Sequence, residues 1–143
     1  MSPDLKPGIK HRFSYTVPAT KTVPNLYREF AEFQDMPEVF ATGFMVGLIE
    51  GVCQLSIKPM LDWPREQSVG THVSFSHLAA TPPGMTVTVE TEVIAVDGRK
   101  VTFRASAHDG LDLISAGTHE RMVIDVRRFN ERLGAKRACA ASR

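Results

Sequence analysis

One carboxylate lies inside a stretch of the chain that is otherwise free of carboxylate and ammonium groups. From residue 42 to residue 57 the sequence reads TGFMVGLIEGVCQLSI, and Glu50 carries that carboxylate. At about 100° per residue the apolar side chains cover most of a helix circumference, and Gly43, Gly47 and Gly51 share the remaining arc with Glu50. Such a helix is typically buried. Because an unpaired buried carboxylate is costly, Glu50 predicts an active site, with room beside the glycines for a ligand or another backbone.

A histidine is the candidate partner of Glu50. His77 falls in an alternating segment with Val73 and Phe75, which predicts a strand that turns His77 toward the helix and Glu50. A neighbouring carboxylate would raise the pKa of His77 and burial would lower it, and the sequence does not choose between them. A hydrogen-bonded core histidine without a catalytic role is the alternative interpretation.

The elements that must position these residues follow from periodicity and turn signals. The helix is predicted over 42–60, and a short amphipathic helix or lid over 22–35. Strands are predicted over 11–17, 69–79, 85–96, 101–107 and 113–126, with Asp-Gly turns at 97–98 and 109–110. A sheet in meander order that wraps a buried helix is an α+β hotdog fold. Its unpaired edge strands predict a twofold-symmetric homodimer.

Composition limits the function classes. A chain of 143 residues predicts one domain, and the net charge of +1 gives no global field for nucleic acid or an anionic membrane. We expect a flexible N-terminus over 1–10, the domain over 11–129 and a polar, fraying tail over 130–143. The longest apolar run falls short of a membrane span, and no secretory signal pattern is present. Two cysteines make no disulfide framework or metal motif, so a cytoplasmic location is expected.

Four segments carry a resemblance to a known family. They are PEVFATGFMVGLIE at 37–50, AATPPGMTVTV at 79–89, SAHDG at 106–110 and GTHER at 117–121. Together they resemble the fluoroacetyl-CoA thioesterase family, with near-uniform spacing from about residue 13 to residue 129. The resemblance implies a dimeric hotdog hydrolase of acyl-CoA thioesters that needs no metal and no cofactor, the CoA being part of the substrate.

The resemblance also implies site residues. The catalytic threonine, glutamate and histidine of the family fall on Thr42, Glu50 and His77. The glycine and arginine that contact substrate in the family correspond to Gly70 and Arg121.

The lid is where the sequence departs from the family pattern. Val23, Leu26 and Phe33 match apolar lid and channel positions, but Met36 stands where the fluoroacetyl-specific pattern has a phenylalanine before proline. Methionine is flexible and fills irregular space, so this lid should select less by shape than an aromatic ring. The resemblance therefore supports acyl-CoA hydrolysis better than fluoroacetyl selectivity.

The spacing of Thr42 and Glu50 raises a geometric problem. Eight residues along one helix separate two side chains by about 12 Å and about 80°, beyond hydrogen-bond reach. Either Thr42 lies on a loop before the helix and folds back, or the two residues in one site come from different subunits. The non-catalytic alternatives are a helix N-cap for Thr42 and a structural ion pair with Arg121 for Glu50. Attack by Thr42, by Glu50 or by an activated water stays open.

We therefore expect hydrolysis of a short-chain acyl-CoA thioester to the free acid and CoA, with fluoroacetyl-CoA detoxification as a candidate role. The alternatives are an acyl-CoA hydratase or dehydratase on the same fold, and a non-catalytic acyl-CoA-binding module. The sequence His119-Glu120-Arg121 has no metal-ligand spacing, and no metal site is expected.

Overall fold

The computed structural model describes residues 1–142. One antiparallel sheet has the spatial order β1-β3-β4-β5-β2, so β1 and β2 form its edges. The strands are β1 (Lys10–Thr16), β2 (Glu66–Phe75), β3 (Thr86–Asp97), β4 (Lys100–His108) and β5 (Leu113–Asp125). The helices are α1 (Ala31–Gln34), α2 (Thr42–Ile57) and α3 (Val126–Ala141), with 3₁₀ turns at Ala19–Lys21, Val23–Asn25 and Lys58–Met60.

Local signals predicted most strand boundaries. Strands β1, β3, β4 and β5 begin and end within one residue of the predicted ranges. The two Asp-Gly turns form where expected, with φ of +59° at Gly98 and +92° at Gly110. Only glycine adopts such values without strain. The mixed architecture of one antiparallel sheet packed on a long helix is therefore confirmed.

Helix α2 is buried on one side only. Its core face packs against the inner face of the sheet and consists of Met45, Ile49, Val52, Cys53 and Ile57. Burial of each large apolar side chain stabilises the fold by about 1.5–3 kcal/mol. The opposite face, with Gly43, Gly47, Gly51 and Leu55, is exposed. The expectation of a helix buried nearly all round is therefore wrong for a single chain.

Strand β2 differs from the prediction at both ends and in its middle. It ends at Phe75, so His77 lies in the following loop rather than on the strand. A register shift between Gly70 and His72 leaves one extra residue in the strand. Such a bulge exchanges the inward and outward positions, so Ser68 is buried before it while Val73 and Phe75 share the inner face after it.

Within residues 1–142, both terminal segments make contacts or secondary structure that the sequence analysis does not predict. Leu5 is 5% exposed and belongs to the core, and the backbone N–H of Gly8 donates to the carbonyl of Val93 at 2.8 Å. The segment expected to fray is instead most of α3, whose first turn is capped by the Asp125 carboxylate accepting from the Arg128 N–H at 3.1 Å. The domain boundaries themselves stay predictions. Among residues 1–142, no helix is both long and apolar enough to cross a membrane.

Candidate active site

A threonine and a histidine meet at the N-terminus of α2. Oγ1 of Thr42 lies 2.6 Å from Nδ1 of His77. Thr42 is the first helical residue, and the N-cap position belongs to Ala41, which offers no capping side chain. The N-cap interpretation of Thr42 is therefore wrong, and its hydroxyl is directed to the histidine.

Buried hydrogen bonds join the segment that precedes Thr42 to the loop that carries His77. The backbone N–H of Phe40, two residues before Thr42, donates to the carbonyl of Thr81 at 2.8 Å. The Thr81 hydroxyl in turn donates to the Asp109 carboxylate at 2.8 Å. Because Thr81 follows His77 in the same loop, these hydrogen bonds fix how the two segments approach each other.

His77 has the properties of a proton acceptor. Burial lowers the pKa of His77, while the nearby Ala79 backbone raises it in part. The ring is therefore neutral near pH 7 and can accept a proton from the Thr42 hydroxyl or a water. The other ring nitrogen, Nε2, is buried and has no hydrogen-bond partner within residues 1–142.

Backbone donors lie beside this pair. The first hydrogen bond within α2 joins the N–H of Met45 to the carbonyl of Ala41, at 2.9 Å. The N–H groups of Thr42, Gly43 and Phe44 precede it and have no partner within the helix. Free N–H groups at a helix N-terminus stabilise negative charge, which an oxyanion in thioester hydrolysis carries.

A second polar cluster surrounds Glu50, two turns along the same helix. Oε2 of Glu50 lies 4.0 Å from Nη1 of Arg121, and the Glu50 side chain is 38% exposed while that of Arg121 is 5% exposed. A Cβ atom at Gly70 would lie 3.3 Å from Oε1 of Glu50. The structure thus brings together Glu50, Gly70 and Arg121, apart from Thr42 and His77.

Two expectations about Glu50 need correction. It is not a buried carboxylate within one chain, because the exposed face of α2 leaves it partly open to solvent. Nor does Glu50 contact His77 of the same chain. His77 is hydrogen-bonded to Thr42, and about 12 Å of helix separates Thr42 from Glu50.

Arg121 is held by several acceptors that the sequence did not reveal. Its guanidinium donates to the Ser68 hydroxyl at 2.7 Å, the Ser68 carbonyl at 2.8 Å, the Gln54 side-chain oxygen at 3.0 Å and Nε2 of His119 at 3.1 Å. Burial lowers the pKa of Arg121, with Glu50 opposing this, yet an arginine stays charged. His119 lies two residues before Arg121, so both side chains are on the same face of β5. This spacing is the sequence feature that could have indicated the hydrogen bond between them.

The predicted lid residues lie before α2. Val23 is buried, and Leu26 packs over Gly43, where an added Cβ would meet the leucine Cδ1 at 3.0 Å. The ring of Phe33 packs edge-on against Phe30 at 5.5 Å between centroids. Met36 is 45% exposed.

Other groups near the site offer less chemistry. Burial raises the pKa of Cys53 to about 12, so its thiol stays protonated and is a poor nucleophile. No group of three or more potential metal ligands occurs in the part of the chain that the structure describes.

Comparison with known proteins decides the family. The family model for the fluoroacetyl-CoA-specific thioesterase matches residues 22–127. The fluoroacetyl-CoA thioesterase of Streptantibioticus cattleyicolor is 48% identical over 136 residues, which cover 95% of this chain and 97% of the relative. The chain belongs to the fluoroacetyl-CoA-specific thioesterase family. It is therefore a thioester hydrolase, which favours hydrolysis over hydration and over binding without turnover.

Solved structures agree with the sequence match. A crystal structure of a fluoroacetyl-CoA thioesterase superposes with a TM-score of 0.89 at 49% identity, covering 92% of this chain and 97% of the other. A thioesterase superfamily member from Thermus thermophilus gives a TM-score of 0.78 at 31% identity, covering 94% and 99%. A hot-dog-like protein from Thermanaerovibrio acidaminovorans, at 21% identity, shares the fold with a TM-score of 0.77 and coverage of 94% and 93%.

Proposed function

We propose that this thioesterase hydrolyses a short acyl-CoA, with fluoroacetyl-CoA as the first candidate substrate. The observation that carries the proposal is the 2.6 Å contact of Thr42 with His77 beside free helix N–H groups. The relative is named for fluoroacetyl-CoA, and a related solved structure is a complex with fluoroacetate and CoA. Detoxification is the role that this substrate would imply. No cofactor is required by the proposed chemistry, and a cytoplasmic location stays a prediction.

The proposed reaction begins at the thioester carbonyl. The acyl oxygen is oriented at the N-terminus of α2, where the N–H groups of the first turn stabilise the oxyanion. His77 takes a proton from the attacking hydroxyl, which belongs to Thr42 or to a water, and returns it to the sulfur of CoA as the C–S bond breaks. If Thr42 attacks, a water activated by His77 then hydrolyses the acyl-threonine to the free acid. Direct attack by Glu50 is the third route, and trapping of an acyl-enzyme would identify the nucleophile.

We propose further that Glu50 completes the site from a second subunit. The proposal is supported by the position of Thr42 as the first residue of α2, since a residue within the helix does not fold back toward Glu50. The buried Nε2 of His77 lacks a partner, and the Glu50 carboxylate is partly exposed on an uncovered helix face. In a twofold-symmetric homodimer, Glu50 of the partner subunit would accept from Nε2 and hold His77 in place.

Mixed dimers test the shared site. Thr42→Ala and Glu50→Ala chains, inactive alone, are co-expressed with different affinity tags and the mixture is assayed. A shared site predicts about one quarter of wild-type activity, because half of the dimers are mixed and each has one intact site. Purified mixed dimers would have half. No recovery in dimers shown to be mixed would place each whole site within one chain.

Substrate choice is tested by kcat/KM for fluoroacetyl-CoA against acetyl-CoA, with Glu50→Ala as the blank. Phe33 and Met36 are the proposed lid. A large preference for the fluorinated substrate would show that selectivity persists with Met36, and similar values would indicate a general short-chain thioesterase. Absence of Glu50-dependent hydrolysis of these and other short acyl-CoAs would reject the proposed function.

A further inference from the structure

The inner face of β5 carries a histidine with no place in the reaction so far. His119 is fully buried. Its Nδ1 lies 2.7 Å from the backbone carbonyl oxygen of His72, and its Nε2 lies 3.1 Å from Nη1 of Arg121. A carbonyl oxygen only accepts hydrogen bonds and a guanidinium only donates them. Nδ1 therefore carries the hydrogen and Nε2 the lone pair, so the ring is neutral.

Two aromatic rings hold the imidazole in this orientation. The Phe103 ring stacks on His119 with centroids 6.2 Å apart, and the Phe75 ring lies 5.9 Å away at a tilt of 50°. Because the ring is packed between these neighbours and anchored to the backbone of β2, the direction of the Nε2 lone pair is fixed.

The other hydrogen bonds of Arg121 show which of its N–H donors is left without an acceptor. A guanidinium has five N–H donors. The Nε donor goes to the Ser68 hydroxyl, the two on Nη2 go to the Ser68 carbonyl and Gln54, and one on Nη1 goes to His119. One donor on Nη1 is left, and Nη1 is the nitrogen that lies 4.0 Å from the Glu50 carboxylate.

The free donor lies beside Gly70 on β2. A Cβ added at Gly70 would be 3.6 Å from Nη1 of Arg121 and 3.3 Å from Cε1 of His119. It would also lie 3.3 Å from Oε1 of Glu50, so the position is too tight for a side chain, and glycine keeps the approach to Nη1 unobstructed. An acceptor atom of a bound acyl-CoA, such as an oxygen, that reaches Nη1 from this side can accept a hydrogen bond from its free N–H.

We propose that His119 is a positioning residue that accepts one hydrogen bond from Nη1 of Arg121 and so directs the other Nη1 donor at the acyl-CoA beside Gly70. This inference rests on the proposed function. His119 does not touch the substrate. It acts through Arg121, and its effect is on substrate binding rather than on bond breaking.

Protonation of the ring would undo this arrangement. A proton on Nε2 turns the acceptor into a donor that faces the Arg121 donor. The titratable and charged groups around the ring are Arg121 on the same strand, Glu50 on α2 and His72 on β2. Burial lowers the pKa of His119, the His72 carbonyl raises it, Arg121 lowers it and Glu50 raises it. The contact is therefore intact at neutral pH and is weakened by acid.

A double-mutant cycle tests the proposal. His119→Phe keeps a packed ring without the acceptor, and Arg121→Gln removes the residue through which it acts. In the wild-type background His119→Phe should lower kcat/KM about 10- to 100-fold, mainly through KM, because a charged donor loses its partner. In the Arg121→Gln background the same change should cost less than about threefold. His119→Gln, which can restore an acceptor, should recover most of the wild-type KM.

The outcomes separate this inference from the function on which it rests. Equal losses from His119→Phe with and without Arg121, or a loss confined to kcat, would overturn the positioning role. Failure of the wild-type protein to hydrolyse acyl-CoA in a Glu50-dependent manner would instead reject the proposed function.

A spectroscopic measurement covers the case in which His119→Phe does not fold. Two-bond ¹⁵N–¹H spectra of the wild-type protein report which ring nitrogen of each histidine is protonated. With His119→Gln used to assign the signal, protonation at Nδ1 alone near pH 7 is expected. A hydrogen on Nε2 would contradict the proposal, because that nitrogen could not then accept from Arg121.

Discussion

Helix α2 carries two polar clusters of different construction, one at its N-terminus and one in its middle. At the N-terminus, Thr42 and His77 share one short contact, and the remaining histidine nitrogen is buried without a partner in the described chain. In the middle, Arg121 makes four hydrogen bonds and lies near Glu50.

The difference separates two tasks. A group that transfers protons must change partners during each turnover, and the sparsely bonded His77 can do so. A group that binds a polar atom of the substrate works best when its own position is fixed, as the bonds to Arg121 achieve. In the proposed dimer, Glu50 of the partner subunit would join the two clusters. The predictions below test this division.

The largest effect on activity is expected from substitution of Glu50. Glu50→Ala should lower kcat about 10³-fold or more, because His77 loses the carboxylate that would orient it. Steady-state rates with acyl-CoA measure this, and Glu131→Ala on exposed α3 is the matched control for loss of a carboxylate. A kcat within tenfold of wild type would remove Glu50 from the proton-transfer machinery.

Changes at Thr42 should be smaller. Thr42→Val keeps the shape but removes the hydroxyl that contacts His77, and we expect a loss of about 10²-fold in kcat/KM. Thr42→Ser keeps the hydroxyl and should lose less than about tenfold. Equal losses in both variants would indicate that the methyl group matters rather than the hydroxyl.

The polar cluster around Arg121 is tested by adding one methyl group at Gly70. In Gly70→Ala the new Cβ would lie 3.3 Å from both Oε1 of Glu50 and Cε1 of His119, so we expect KM to rise about tenfold with little change in kcat. Gly134→Ala on α3 is the control, since nothing lies within 4 Å of that position. It should stabilise the protein by about 0.5–1 kcal/mol and leave KM unchanged.

The smallest effect is expected from pH. Burial lowers the pKa of His77, so the neutral base persists below the ordinary histidine range, and activity falls only as the pH drops through the lowered pKa. Between about pH 7.5 and 5.5, kcat should fall less than about tenfold. A midpoint above about 6.5 would mean that a carboxylate, such as the partner's Glu50 in the proposed dimer, outweighs burial.

The same shift has a consequence for stability with a definite sign. A histidine that is held neutral in the folded protein takes up its proton mainly on unfolding. The folded state is therefore favoured above the unfolded pKa, near 6.5, and loses stability as the pH falls below it. Urea unfolding at several pH values would detect this loss.

Local patterns predicted most of the fold because hairpin turns and strand alternation depend on neighbouring residues. Gly98 and Gly110 adopt the positive φ values that their Asp-Gly turns require. The bulge after Gly70 was missed since it depends on pairing with β5, more than forty residues away in the chain. The alternation of apolar and polar residues within β2 does not indicate how β2 pairs with β5.

The candidate site was predicted in part from the residues themselves and in part from the family resemblance. The sequence singled out Glu50 and His77, and family similarity added Thr42, but their roles stay predictions. The sequence does not single out His119, because its spacing from other residues fits no metal site. Its contact with Arg121 depends on both side chains sharing one face of β5, a relation that alternate residues of any strand have.

The length of α2 has a mechanical consequence in the proposed dimer. Thr42 at the helix start would belong to one reaction centre and Glu50, about 12 Å further along, to the other. A helix of this length is a rigid rod, so a displacement along its axis shifts the hydroxyl of one centre and the carboxylate of the second in the same motion. Strain introduced by a substrate at one end would then be transmitted to the vacant centre without any change in the sheet.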